Sequence, residues 1–146
     1  MKKLLAALIL LTAWQASALD LGAGLASFAK SHETAPFVSA VLGRAACPYT
    51  VTWTRDGDIE HATISGSYDV GKFDLGTVYA LGGAAVVWEE WDAWKPELQY
   101  GAGLRSAVAG KFTGRLWFER AHAGGKADGE NRYFAGLYLA TAKGKK

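Results

Sequence analysis

Histidine and cysteine, which often act as catalysts or metal ligands, are few in this chain, and their spacing does not match that of a catalytic or metal site. The three histidines, His32, His61 and His122, lie far apart, without the short intervals at which two rings bind one metal ion. Cys47 is the only cysteine, so neither an internal disulfide nor a cysteine-based metal site can form. The sequence therefore predicts no metal and no cofactor, and it marks no catalytic residue.

Three charged residues stand on the polar faces of two consecutive segments near the C-terminus. Arg115 and Glu119 share one face of an extended segment with Trp117, and Arg105 lies on the polar face of the preceding segment. Charges on a buried face need partners, because an unpaired buried charge is costly. We predict an ion network in which Glu119 pairs with Arg105, Arg115 or both.

A cluster of tryptophans, interleaved with acidic residues at positions 89, 90 and 92, offers a second candidate site. Trp88, Trp91 and Trp94 crowd one polar connection. The favoured interpretation is an interfacial aromatic belt, in which tryptophan rings lie at the level of lipid headgroups. The alternative is an acidic, aromatic docking surface for a sugar or a protein.

The elements that position these side chains are β-strands. Apolar and polar residues alternate in Tyr49–Thr54, His61–Asp69 and Glu97–Arg105, which is the period of a half-buried strand. Glycine is abundant, with 18 residues, and glycine within strands is typical of bends and close backbone approach. We predict an all-β chain of eight antiparallel strands, at about residues 19–29, 36–45, 48–56, 60–72, 75–89, 97–108, 111–122 and 131–142.

The predicted connections alternate in length. Those at residues 46–47 and 109–110 are short, whereas those at 55–58, 90–96 and 122–130 are longer and polar. Short turns at one end and longer loops at the other are typical of up-and-down transmembrane barrels, in which an even strand number places both termini beside the short turns. The pattern therefore predicts an eight-stranded transmembrane barrel.

The facing of the strands separates a membrane barrel from a soluble one. The polar faces carry mostly small residues, which suit a narrow lumen filled by side chains. We expect Val51, Ile64 and Leu104 to contact lipid, while Thr52, Ser65 and Arg105 face the lumen. A soluble, lipocalin-like barrel of the periplasm, whose apolar faces would point inward to bind a small ligand, is the alternative.

The first 18 residues have the pattern of a cleavable signal peptide. Lys2 and Lys3 precede an apolar run at 4–13, and Ala16-Ser17-Ala18 forms a small-x-small cleavage site. We predict a signal peptide at 1–18, a barrel at 19–142 and a basic tail at 143–146. The net charge of +2, without a cluster of basic residues among aromatic ones, does not suggest a nucleic-acid partner.

Three segments, Leu98–Leu104, Gly114–Arg120 and Tyr133–Leu139, read LQYGAGL, GRLWFER and YFAGLYL. They resemble the last three strands of the small eight-stranded outer-membrane barrels of the OmpX, OmpA and opacity-protein type. The resemblance implies a non-catalytic, monomeric barrel of the bacterial outer membrane with a structural, adhesive or surface-interaction role. It also implies that the barrel is surrounded by outer-membrane lipid and inserted by the barrel-assembly machinery.

The GAGL strand also resembles the PagL-type lipid A deacylases, which are enzymatic barrels. That family carries a His-x-Ser pair on the next strand, where a base activates the serine. In this chain Phe118 and Arg120 stand at those two positions, and Gly124 follows His122 where a serine would be needed. A deacylase-like barrel is therefore an alternative whose expected nucleophile is missing.

Overall fold

A computed structural model describes residues 19–43, 48–57, 59–89, 95–123 and 129–141. The predicted signal peptide at 1–18 and the basic tail at 143–146 lie outside these residues. Within the described ranges, no helix is long and apolar enough to cross a bilayer.

The chain forms a closed antiparallel barrel of eight strands, as the sequence predicted. Each strand pairs with the next along the chain, and the first strand pairs with the last. The alternation of side chains between the two faces of each strand follows from the two-residue period of the sequence. The strands are β1 (Leu19–Phe28), β2 (Thr34–Leu42), β3 (Tyr49–Asp56), β4 (Ile59–Phe73), β5 (Gly76–Glu89), β6 (Lys95–Ala109), β7 (Phe112–Ala123) and β8 (Glu130–Ala140).

Two connections differ from the predicted division into short turns and longer loops. The prediction of a longer loop at 55–58 is wrong, because β3 ends at Asp56, as its predicted bounds had it, and β4 begins at Ile59, which leaves a connection of two residues. Gly57 adopts a φ of 56°, and positive φ values are typical of the tight turns whose twist matches that of a hairpin. In contrast, β2 already ends at Leu42, so its connection to β3 spans 43–48 and is longer than the short turn expected at 46–47.

The side chains face as the alternation predicted. Thr52 and Ser65 are buried inside the barrel, whereas the Ile64 side chain between the same strands is 52% exposed on its outside. In β2, Phe37 and Val41 face inward. The lumen is therefore the packed interior of the molecule.

Glycines allow large rings to lie flat against the inner wall of this narrow barrel. A Cβ atom on Gly22 would overlap the ring of Tyr138, and one on Gly103 would overlap the ring of Tyr79. Both rings are almost completely buried. The glycine-rich strands thus make room for aromatic side chains that fill the lumen.

Candidate functional site

An aromatic layer closes the lumen near its centre. It consists of Phe37, Tyr79, Trp117, Phe134 and Tyr138, all of them buried. Trp117 and Phe134 are cross-strand neighbours whose ring centroids lie 4.5 Å apart in parallel planes, and Phe37 meets Trp117 edge-on at 5.2 Å. The cavity beside this layer has a volume of about 10 Å³, so it offers space for no more than about one water molecule.

Arg132 is the centre of a buried ion cluster between the aromatic layer and the loop end of the barrel. Its side chain is 1% exposed. Its Nη2 atom lies 2.6 Å from Oε2 of Glu97, its Nε atom 3.2 Å from Oε2 of Glu130, and its Nη1 atom 3.9 Å from Oε1 of Glu119. One guanidinium therefore forms ion pairs with three carboxylates, and we call this group of four residues the Arg132 cluster.

The structure pairs Glu119 with Arg132 instead of the predicted Arg105 or Arg115. The strand register explains the difference. Glu119 lies directly opposite Arg132 on β8 and opposite Gly101 on β6, whereas Arg105 and Arg115 lie opposite each other. Four residues along a strand span about 13 Å, so the backbone of each arginine lies too far from Glu119 for a ready ion pair. The alternation of residues along the strands correctly predicted that all three side chains face the lumen, but it could not predict which residues form ion pairs with them.

Arg105 and Arg115 belong to a second polar cluster, on the other side of the aromatic layer. Arg105 forms an ion pair with Asp69. Arg115 lies 3.9 Å from Asp20, between Nη2 and Oδ2, and its guanidinium carbon lies 4.6 Å from the centre of the Tyr138 ring. These side chains line a vestibule of about 530 Å³ at the end of the barrel that carries β1's first residue.

The outside of the barrel carries the large apolar side chains. Examples are Leu98, which is 70% exposed, together with Leu25, Val38, Ile64, Leu116 and Leu137. Charged and polar side chains are buried inside together with the aromatic layer, and large apolar side chains are exposed outside, whereas a soluble ligand-binding barrel exposes a polar outer surface. It is the arrangement that a strand barrel needs in lipid.

The tryptophan cluster is only partly described. Trp88 lies within β5, one residue before that strand ends, and Trp91 and Trp94 lie outside the described residues. Exposed tyrosines that the sequence reasoning did not single out occur towards both ends of the barrel: Tyr49 and Tyr68 near the termini, and Tyr100 and Tyr133 near the loops. Amphipathic rings at both levels are typical of the two interfacial belts of a membrane barrel.

The positions aligned with a deacylase site lie on the outer face of β7. Phe118 and Arg120 alternate there with inward residues, and His122 stacks on Tyr100, with its Nε2 atom 3.3 Å from the tyrosine hydroxyl. Neither aligned position holds a nucleophile. Among the described residues there is also no group of three or more His, Cys, Asp or Glu side chains that could hold a metal ion.

The comparisons with known proteins give a fold and no closer relationship. No family model matches the chain, and no curated protein matches it either. Several solved structures do match it, each with low sequence identity.

The N-terminal β-barrel domain of Pseudomonas aeruginosa OprF has a TM-score of 0.67 and 13% identity, with 86% of this chain and 98% of that chain covered. Neisserial surface protein A has a TM-score of 0.59 and 14% identity, with 84% and 95% covered. The Yersinia pestis outer membrane protein Ail, in a phospholipid bilayer nanodisc, has a TM-score of 0.51 and 13% identity, with 84% and 99% covered. The chain therefore has the fold of the small eight-stranded outer-membrane β-barrels, as its last three strands predicted.

Proposed function

We propose that this protein is a non-catalytic, monomeric barrel of the bacterial outer membrane that acts through its surface, in a structural, adhesive or other surface-interaction role. The observation that carries the proposal is the aromatic layer, which blocks the lumen of a barrel whose outside is apolar. A blocked lumen cannot serve as a pore, so the parts left to interact are the outer wall and the ends of the barrel.

Sequence and fold support the same location. The pattern of residues 1–18 favours export, and the chain would then meet the barrel-assembly machinery in the periplasm. With the termini on the periplasmic side, the connections at 29–33, 90–94 and 124–129 would face the outside of the cell. Two of the structural neighbours described above are themselves named as a surface protein and an outer membrane protein.

Membrane fractionation tests the location. The protein should sediment with outer membranes, migrate faster on a gel before boiling than after it, and begin at Leu19 by intact mass. Recovery in the soluble periplasmic fraction, without a heat-dependent change of mobility, would instead support a soluble barrel.

Two activity measurements test the role. In planar bilayers the purified barrel should give no ion conductance, with a known porin as the positive control. Incubated with lipid A, it should release no fatty acid, because the aligned positions on β7 lack a nucleophile. Stable conductance steps would contradict the closed lumen, and release of fatty acid would favour the deacylase-like alternative.

A further inference from the structure

An apolar groove of about 520 Å³ crosses the outer face of the barrel near its loop end. We call it the outer groove. It runs over β1, β8, β7 and β6, and its outward-facing lining includes Leu25, Ala135, Tyr133, Leu116, Phe118 and Ala102. On a transmembrane barrel this face is turned towards lipid.

The strand register explains the shape of the outer groove. Ala135 lies directly opposite Leu25 on β1 and opposite Leu116 on β7, so a methyl group stands between two larger side chains. One row nearer the loops, Tyr133 and Phe118 are cross-strand neighbours, with ring centroids 5.4 Å apart and planes tilted by 42°. The aromatic pair and the leucines thus form walls around a floor made by a small residue.

A cation lies one outward row beyond the lining of the outer groove, towards the loops, with its guanidinium against Gly129. Arg120 follows Phe118 by two residues and shares its outward face. Its direct cross-strand neighbours are Tyr100 and Asn131, neither of which carries a charge. The contrast is Arg55 on β3, which also faces outward near the loop end but has Glu60 directly opposite.

We propose that the outer groove binds one anionic, phosphate-bearing lipid, with an acyl chain along the apolar floor and the phosphate on the guanidinium of Arg120. A guanidinium forms paired, charge-assisted hydrogen bonds with phosphate oxygens, and the groove supplies the apolar surface for the chain. The proposal rests on the membrane location proposed above, since only there does the outer wall meet acyl chains.

Native mass spectrometry of the barrel in detergent micelles tests this site. The probes are phosphatidylglycerol and phosphatidylcholine with the same acyl chains. The wild-type protein should retain one phosphatidylglycerol molecule, with an affinity about tenfold higher than for phosphatidylcholine, because one charged hydrogen-bonded contact contributes about that factor. Free glycerol phosphate at the same concentration should not displace the lipid, because it lacks the acyl chain.

Two variants separate the parts of the site. Arg120→Gln should abolish the preference for phosphatidylglycerol, and Ala135→Phe, which fills the floor of the groove, should weaken binding of both lipids. The matched controls are Arg55→Gln, which removes an outward cation that faces a carboxylate, and Ala84→Phe, which enlarges an exposed alanine on β5. Both controls should bind as the wild type does. Heat-dependent gel mobility establishes that each variant is folded, and Ala135→Leu replaces Ala135→Phe if the latter does not fold.

The outcomes are distinct from those of the proposed function. Equal retention of the two lipids by the wild type, or equal effects of Arg120→Gln and Arg55→Gln, would overturn the lipid site while leaving a membrane barrel intact. Displacement by glycerol phosphate would show a simple phosphate site and would also overturn it. Failure of the protein to fractionate with membranes would instead refute the proposed location.

Discussion

Replacement of Arg132 by methionine should be among the most destabilising single changes in the lumen. The substitution keeps much of the length of the side chain but removes its charge. Three carboxylates, with side-chain exposures of 14% for Glu97, 3% for Glu119 and 17% for Glu130, would lose their common partner. Removing one member of a buried ion pair costs about 3–5 kcal/mol, because the remaining charge stays buried without compensation. We therefore expect a loss of about 3–5 kcal/mol in the free energy of unfolding.

Urea unfolding in detergent micelles measures this loss, with tryptophan fluorescence and gel mobility as independent probes. Arg105→Met is the matched comparison, since it removes an inward arginine that pairs with Asp69. The side chains of that pair are 26% and 39% exposed, so solvent screening reduces the expected cost to about 0–1 kcal/mol. A double-mutant cycle of Arg132→Met with Glu97→Gln should give a coupling energy of about 1–3 kcal/mol.

Two results would refute this reasoning. If Arg132→Met destabilised the barrel no more than Arg105→Met, burial would not determine the cost of losing the guanidinium. If the coupling with Glu97 were zero within error, the carboxylate and the guanidinium would be solvated separately, and the Arg132 cluster would not act as a unit.

Three further changes test the wall, the outer face and the aromatic layer. Gly101→Ala should cost about 1–3 kcal/mol in urea unfolding because the added Cβ overlaps the backbone carbonyl of β7, whereas Gly82→Ala, whose nearest neighbour lies 3.9 Å away, should cost under about 1 kcal/mol. Ile64→Arg should cost about 2–4 kcal/mol in lipid vesicles, and Ile64→Phe should be tolerated. Phe134→Ala should lower the free energy of unfolding by about 3–5 kcal/mol. Replacement of both Phe134 and Trp117 by alanine should open the lumen and allow ions to leak across planar bilayers. Unchanged stability of Gly101→Ala or Ile64→Arg, or a tight bilayer for the double variant, would contradict the respective assignment.

Much of the fold could be predicted because strand parity is local information. Once Ile64 is recognised as apolar and Ser65 as polar, the two-residue period fixes the facing of their neighbours as far as Asp69, where a β-bulge shifts the register. The length of a turn is harder to predict from the sequence. The polar residues at 55–58 indicated a longer loop, but a glycine at positive φ closes a hairpin within a very short connection, and Gly57 leaves only residues 57–58 between β3 and β4.

The partners in the lumen could not be predicted, because they depend on register between strands. Arg132 shares the parity of Phe134 and Tyr138 in the predicted last strand, which was a usable signal that it faces inward. Its pairing with Glu97 also depends on side chains reaching across the lumen, since these two residues lie on β8 and β6 and are not paired in the sheet. The outer groove was missed for a related reason, as its floor and walls come from four different strands.

The pairing of β1 with β8 places a condition on how the molecule is made. The backbone oxygen of Leu19 accepts hydrogen bonds from Thr141, 122 residues later in the chain. Until the last strand has been synthesised, an incomplete chain has two open sheet edges, one on β1 and one on its most recent strand, and open edges can pair with other chains. Closure also waits for the most distant contact in the fold, which makes it slow and cooperative. A truncated chain that stops before Glu130 could therefore not close the barrel in the native way and should aggregate.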